Sequence, residues 1–320
     1  MNGNLKLKIS DLNLQENFGE LEVLKDYSGR DYRTVWQEPR ANFENRFEEK
    51  IIGEMMPAKL GWFIDVGAGY GRIYPQYARE GRRVVLVDYA TNLLDMAEKQ
   101  YGTKKDVFFI AANAYHLPFK DEVFDAAITI RTFHHMNLPR KFFQEFSRVL
   151  RPRSEVLFEY SNKRNILRIL KNARRSLRKD HEEYAEWQFG THPAYLRDIA
   201  KEAGFEVERT VGTAFFPRFL TEKTVFLEPI LAGLETIFDL TLGRIGFAPM
   251  NFARLRKNSG ADITESPGSE LTDILKCPAC RGEVEAIRQG FRCSSCARLF
   301  PQNRKIIDFR FTTPNNKIVD

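Results

Sequence analysis

Apolar positions follow two rhythms along this chain. Trp62-Phe63-Ile64, Val84-Val85-Leu86-Val87 and Val107-Phe108-Phe109-Ile110 are short, nearly unbroken apolar runs. Such runs mark strands covered on both faces of a parallel sheet. Phe43, Phe47, Ile51 and Met55 recur instead at helical spacing, predicting a helix ahead of the first strand. A second helical stripe runs through Ile166, Ile169, Leu170, Ala173 and Leu177. Val225 to Leu242 is apolar but carries Glu228, Glu235 and Asp239, with Pro229 near its start, and reads as an amphipathic helix. Alternating strands and helices predict an α/β domain.

The first two runs are joined by Asp65-Val66-Gly67-Ala68-Gly69-Tyr70-Gly71-Arg72. Glycines here permit a sharp turn into a helix and let a ligand approach the backbone closely. The second run ends in Asp88, near the distance at which a carboxylate grips a ribose diol. A G-x-G-x-x-G loop would place its third glycine at position 72, which is Arg72, so the nucleotide need not be NAD. The spacing G-x-G-x-G resembles motif I of class I S-adenosylmethionine (SAM) methyltransferases. Ala112-Asn113-Ala114-Tyr115-His116-Leu117-Pro118-Phe119 is similar to the G-D-A-x-x-L-P-F segment of the family that includes ubiquinone and menaquinone methylases. Phe124 to Ile130, Phe142 to Pro152 and Val156 to Glu159 continue the resemblance as the fourth strand, a helix and the fifth strand, so that it covers roughly residues 60 to 160.

This resemblance implies a Rossmann-like seven-stranded sheet, mostly parallel with the last strand antiparallel, and helices on both faces. Phe247 to Arg254 would be the antiparallel strand, and Gly204 would cap the helix before the sixth strand. It implies cofactor contacts from Asp65, Gly67, Ala68, Gly69, Gly71, Asp88, Tyr89, Asn113, Ala114 and Arg131. Asn113 stands where the family has Asp, and its amide oxygen would accept the bond from the adenine amino group. His134 and His135 follow the fourth strand at its carboxyl edge, where either could serve as a base for an acceptor that must lose a proton, or cap and pack.

All four cysteines lie in one unit, Cys277-Pro278-Ala279-Cys280 and Cys293-Ser294-Ser295-Cys296. Two C-x-x-C knuckles at this separation suit a tetrahedral thiolate site, read here as structural Zn²⁺, and iron would fit the same donors. The surroundings resemble the zinc ribbon that forms the small activator subunit of translation-associated methyltransferases, which leaves a protein partner open. Arg304-Lys305 replaces that family's Asp-Gly. The ribbon is expected to unfold on metal loss while cofactor binding stays largely intact.

The net charge of +6 is concentrated: Lys163 to Lys179 holds eight bases and no acid, and residues 271 to 320 hold nine bases against five acids. Acids from Asp180 to Glu186 follow the first patch at once. The organisation read from these features is an N-terminal lead or lid (1–45), a methyltransferase domain (46–258) with a basic insertion (161–191), a linker (259–270), and a zinc ribbon with tail (271–320). The first twenty residues lack the apolar core of a secretory signal, and no long uncharged apolar run exists, so a cytoplasmic enzyme with no transmembrane segment is expected. An [N/D]-P-P-[Y/F] segment is absent after the fourth strand, and no cysteine is left for cytosine chemistry. The leading expectation is methyl transfer to a small-molecule or lipid-like acceptor, with membrane or RNA contact through 163–179. The alternatives are an RNA methyltransferase and a non-catalytic SAM-fold scaffold.

Overall fold

The computed structural model describes residues 21–29, 39–216, 228–241, 243, 246–260, 267–313 and 316–319. The aromatic lead residues Tyr32 and Trp36, the side chain of Phe43 and the segment 217–227 lie outside the described residues. In chain order the elements are β1 (Glu22–Lys25), α1 (Pro39–Met55), β2 (Gly61–Val66), α2 (Tyr74–Tyr77), β3 (Arg82–Asp88), α3 (Thr91–Tyr101), β4 (Val107–Ala111) and β5 (Phe124–Thr129). A single 3₁₀ turn, Phe133–His135, precedes α4 (Pro139–Val149), β6 (Leu150–Ser161), α5 (Ile166–Ser176), β7 (His181–Ala185) and β8 (Gln188–Thr191). Then come α6 (Pro193–Glu202), β9 (Phe205–Thr213), α7 (Glu228–Leu240), β10 (Met250–Lys257) and α8 (Leu271–Ile274). Five short strands close the chain: β11 (Val284–Ile287), β12 (Gly290–Cys293), β13 (Leu299–Asn303), β14 (Ile306–Asp308) and β15 (Asn316–Val319).

Strands order as β4-β3-β2-β5-β6-β10-β9, with β10 antiparallel to both neighbours. This is the expected seven-stranded sheet. The apolar runs are continuous because each face meets its own core. Trp62, Ile64, Val85 and Val87 enter one apolar cluster, while Phe63, Val84 and Leu86 enter the other. Gly204 takes φ +84 just past α6, as a helix-ending glycine should.

The sheet does not stop at β4. β14 adds to that edge in parallel, pairing Ile306 to Asp308 with Phe109 to Ala111, and β13, β12 and β11 continue it to eleven strands. Phe291, Phe300, Ile307 and Phe309 of the ribbon belong to the same apolar cluster as Trp62 and Ile110. The residues that depart from the ribbon family make polar contacts across this junction. Arg304, at φ 52 in the β13–β14 turn, pairs with Asp95 at 2.7 Å and Glu98 at 3.3 Å, and Lys305 donates to the Gly102 carbonyl. Ribbon and α/β domain share one core.

The basic insertion is partly neutralised from within. Lys163 is buried and paired with Asp180 and, at 2.7 Å, with Glu182; Arg175 pairs with Glu182 and Arg178 with Asp180. Among the described residues, Lys171, Arg174 and Lys179 keep no ionic partner, and Arg164 and Arg168 lie over the rings of Phe247 and Tyr184 rather than against acids. The helical stripe is real but open to solvent: α5 breaks at Asn172, and Leu167, Leu170 and Leu177 are 43%, 78% and 51% exposed. No helix among the described residues is long and apolar enough to cross a membrane.

Candidate cofactor cleft and metal centre

A cleft opens at the carboxyl ends of β2, β3 and β5, where strand ends and the loops after them leave backbone groups free for a ligand. Asp65, Gly67, Ala68 and Gly69 line it, with Asp88, Tyr89, Ala114 and Arg131 on its other walls. Gly67, at φ +81, lies so close to Thr132 that a Cβ would overlap the threonine side chain. Glycine is obligatory there. Asp88 is half-buried and organises the turn: Oδ2 accepts from Gly69 N–H at 2.8 Å and Oδ1 from Ala90 N–H at 2.9 Å. Burial pushes its carboxyl above the ordinary range, against those two bonds. Asp65, which accepts from the Tyr77 hydroxyl, is pushed up to about 7, also by burial.

Arg131 adopts φ 58 and lies against carboxylates: Nε donates to Glu48 at 2.7 Å, and its backbone N–H donates to Glu159 at 2.8 Å. Burial opposes its charge, but Glu48, Glu159 and Glu44 outweigh burial and hold the guanidinium ionised. Burial moves Glu159 up to about 7.

Two of the sequence-derived residues are placed differently from the resemblance. The neighbours of Asn113 line the cleft, whereas its own side chain is engaged elsewhere: Oδ1 accepts from Tyr115 N–H and Nδ2 donates to Glu22, both at 2.9 Å. Gly71, at φ +76, closes the loop over Tyr101 and does not line the cleft.

The histidines separate in role. His135 lines the cleft; its Nδ1 faces the Trp187 carbonyl at 3.1 Å, so Nδ1 carries the proton and Nε2 accepts from the Tyr27 hydroxyl at 2.9 Å. Burial lowers its pKa to about 4, leaving the imidazole neutral near pH 7. His134 packs beside it, ring centroids 4.0 Å apart, and burial pushes its pKa well down. His134 does not line the cleft.

Sequence reasoning missed how the lead, read as a lid, is held. β1 and β15 pair in parallel over four residues, joining the two ends of the chain beside the cleft, and Leu24, Lys25 and Tyr27 line it. Glu22 is the hub: it accepts from Asn113, from Asn316 at 2.7 Å, from His116 at 2.7 Å and from Lys141 at 2.6 Å. Burial alone would raise its pKa, but the bonds from His116, Lys141 and Asn113 bring it down to about 2. Glu22→Gln is expected to loosen the lid by ~1.5–3 kcal/mol, the range for hydrogen bonds to a charged group. Faster amide exchange at residues 22–25 and faster dissociation of S-adenosylhomocysteine would record it; unchanged exchange would refute it.

The ribbon's four sulfurs all lie within 4.8 Å of one another, with Cys277 and Cys296 at 3.8 Å and Cys280 and Cys293 at 3.4 Å. These separations are far beyond a disulfide's ~2.05 Å. They match the ~3.8 Å edge of a tetrahedron whose centre lies ~2.3 Å from each sulfur. The thiolate set fits a closed metal site.

Residues 64–158 match a family described as a methyltransferase domain, and residues 269–301 match one described as Trm112p-like protein. The chain joins a methyltransferase domain to a Trm112p-like domain. A demethylmenaquinone methyltransferase from Paenarthrobacter aurescens is 31% identical over 121 residues, 37% of this chain and 47% of the relative. An O-methyltransferase from Aspergillus nomiae is 34% identical over 110 residues, 33% of this chain and 49% of the relative. The chain thus spans about half the length of these curated relatives. A candidate S-adenosylmethionine-dependent methyltransferase from Listeria monocytogenes shares the fold, with a TM-score of 0.52 at 10% identity over 68% of this chain and all of that one.

Proposed function

We propose that the chain is a SAM-dependent methyltransferase acting on a lipid-like acceptor at a membrane surface, with Zn²⁺ in its ribbon. The cofactor half of this reading rests on the glycine loop and Asp88. Asp88 would take the ribose hydroxyls with its remaining lone pairs, Tyr89 and Ala114 would flank the base, and Arg131 would face the amino-acid end. Bound SAM supplies an electrophilic methyl group on a sulfonium. The protein's work is then alignment and exclusion of water, and orientation of this kind can supply ~7–11 kcal/mol. For an acceptor that must shed a proton, Tyr27 and His135 offer a route: the Tyr27 oxygen takes the acceptor's proton while its own passes to His135 Nε2. This route exists only with the lid closed, because Tyr27 comes from the lead.

The acceptor half rests on one observation: Leu167, Leu170 and Leu177 of the α5 segment face solvent beside bases that have no ionic partner among the described residues, while three of the eight bases of the patch are paired with internal acids. RNA would draw on the bases alone and leave the leucines in water, whereas an anionic lipid surface takes both leucines and bases. The likeness to demethylmenaquinone methyltransferases agrees with an apolar acceptor. The ribbon, in this reading, has the chain's own catalytic domain as its partner, since Arg304, Lys305 and the β14 edge are already engaged there.

Labelled SAM incubated with the protein and fractionated cell extract should place label in the lipid fraction. Vesicles containing anionic phospholipid should bind the chain. Serine at positions 167, 170 and 177 together should weaken that binding at least ~10-fold, or about 1.4 kcal/mol, because apolar burial is lost. Label entering RNA, with vesicle binding absent, would replace this reading by the RNA alternative.

A further inference from the structure

The turn of the β7–β8 hairpin, Glu186-Trp187, holds a conformation that its sequence disfavours. Ala185 pairs with Gln188 across it, and Trp187 takes φ 55, in the left-handed region where a bulky aromatic residue is strained. A hairpin that had only to reverse the chain would carry Gly or Asn there. Strain of this kind persists only where the surroundings impose it. Two side chains do so, from different parts of the chain. Glu183 Oε1 accepts from the Trp187 N–H at 2.7 Å, and the Lys317 ammonium of β15 lies over the indole, 4.5 Å from the ring centroid. The strained turn aims the Trp187 carbonyl at His135 Nδ1, 3.1 Å away, although Trp187 itself does not line the cleft. A carbonyl only accepts, so it assigns the ring proton to Nδ1 and leaves the Nε2 lone pair facing the Tyr27 hydroxyl.

We propose that Trp187 is a positioning residue: its strained turn, pinned by Glu183 and by Lys317 of the C-terminal strand, sets the tautomer of His135 and thereby makes Nε2 the proton acceptor of the site. The proposal rests on the methyl-transfer reading, because a fixed tautomer matters where Tyr27 must pass a proton on. It also couples that readiness to the lid. Lys317 is the residue of β15 that pairs with Val23 of β1, so the strand that holds the lid also clamps the turn. When β15 leaves, the Trp187 backbone relaxes, the carbonyl withdraws, and a proton on Nε2 blocks transfer from Tyr27.

The test reads the tautomer directly. Long-range proton–nitrogen NMR spectra of the full chain, its histidine rings labelled with ¹⁵N, distinguish Nδ1–H from Nε2–H. His135→Gln identifies the His135 signals among the five histidines. Wild type near neutral pH should show the Nδ1–H form. Glu183→Ala and Lys317→Met each remove one pin, and together should lower the ratio of Nδ1–H to Nε2–H by ~10-fold, the worth of one hydrogen bond. Glu183→Gln keeps an oxygen for the Trp187 N–H and should restore the wild-type spectrum. Transfer of label from SAM into the lipid fraction should fall in step with the Nδ1–H form, while Glu183→Ala leaves affinity for S-adenosylhomocysteine unchanged, since Glu183 does not line the cleft. A wild type with its His135 proton on Nε2 overturns the proposal, and so does a tautomer ratio or a transfer rate that losing both pins does not move. The expected tautomers in a chain that fails to bind S-adenosylhomocysteine would support the positioning role and sink the methyl-transfer reading instead.

Discussion

Replacing Cys293 by Ser is expected to dismantle the ribbon and to weaken cofactor binding with it. Metal ligation by four thiolates carries apparent free energies of ~10–16 kcal/mol in small structural sites, and a segment of this size scarcely folds without it. In an independent module the loss would end there, as the linker composition suggests. The contacts say otherwise. β14 closes the β4 edge, and Phe291, Phe300 and Phe309 pack in the catalytic core. Arg310 donates to the carbonyl of Tyr89 at 3.0 Å and lies over its ring, bracing one wall of the cleft. Past the ribbon, β15 holds the lid strand β1, and Lys317 lies over Trp187, whose carbonyl orients His135. Metal loss thus removes an edge strand, a wall support and half of the lid. We expect a lowered melting temperature and affinity for S-adenosylhomocysteine reduced at least ~10-fold, or about 1.4 kcal/mol, both reproduced by a chelator. Two separate melting transitions with unchanged affinity would restore the independent-module picture.

What was legible in the sequence follows from what side chains encode. Continuous apolar runs announced strands covered on both faces, the glycine loop announced a tight turn, and paired knuckles announced a thiolate site. Backbone pairing left weaker traces. Ile306-Ile307-Asp308 offers three residues of pattern, yet its N–H and C=O groups complete the edge of the catalytic sheet. Glu22 and Asn316 lie at opposite ends of the chain, and no periodicity links them. Arg304-Lys305 stood out only as a departure from the ribbon pattern, and its meaning emerged with Asp95 and Glu98 opposite. Counting charge misjudged the insertion for a similar reason. The acids following the bases fold back onto them in the β7–β8 hairpin, so the charge available to a partner is smaller than the composition implies. For Asn113 the family resemblance named a position whose neighbours Ala112 and Ala114 line the cleft, while its own side chain turned to Glu22.

Asp88→Ala should weaken S-adenosylhomocysteine binding by ~1.5–3 kcal/mol, roughly 10- to 150-fold, with a smaller effect on stability. Two losses combine. The carboxylate that would hold the ribose disappears, and the Gly69 and Ala90 N–H groups lose their acceptor, which frees the glycine loop from the end of β3. Asp88→Asn should fall between, since one amide oxygen can keep one of those bonds while the NH₂ repels the other donor. Acid should act in the same direction. Burial raises the pKa of Asp88, so protonation sets in at a higher pH than for an exposed aspartate, and the affinity that depends on the charged form fades as pH falls through that raised value. Asn113→Ala provides the contrast. Its bonds run to Glu22 and Tyr115, so its effect should appear first in lid exchange and only secondarily in affinity. Calorimetry on the three variants checks the order. If Asp88→Ala binds as tightly as wild type, or if wild type binds NAD tightly and S-adenosylhomocysteine not at all, the cleft belongs to another ligand.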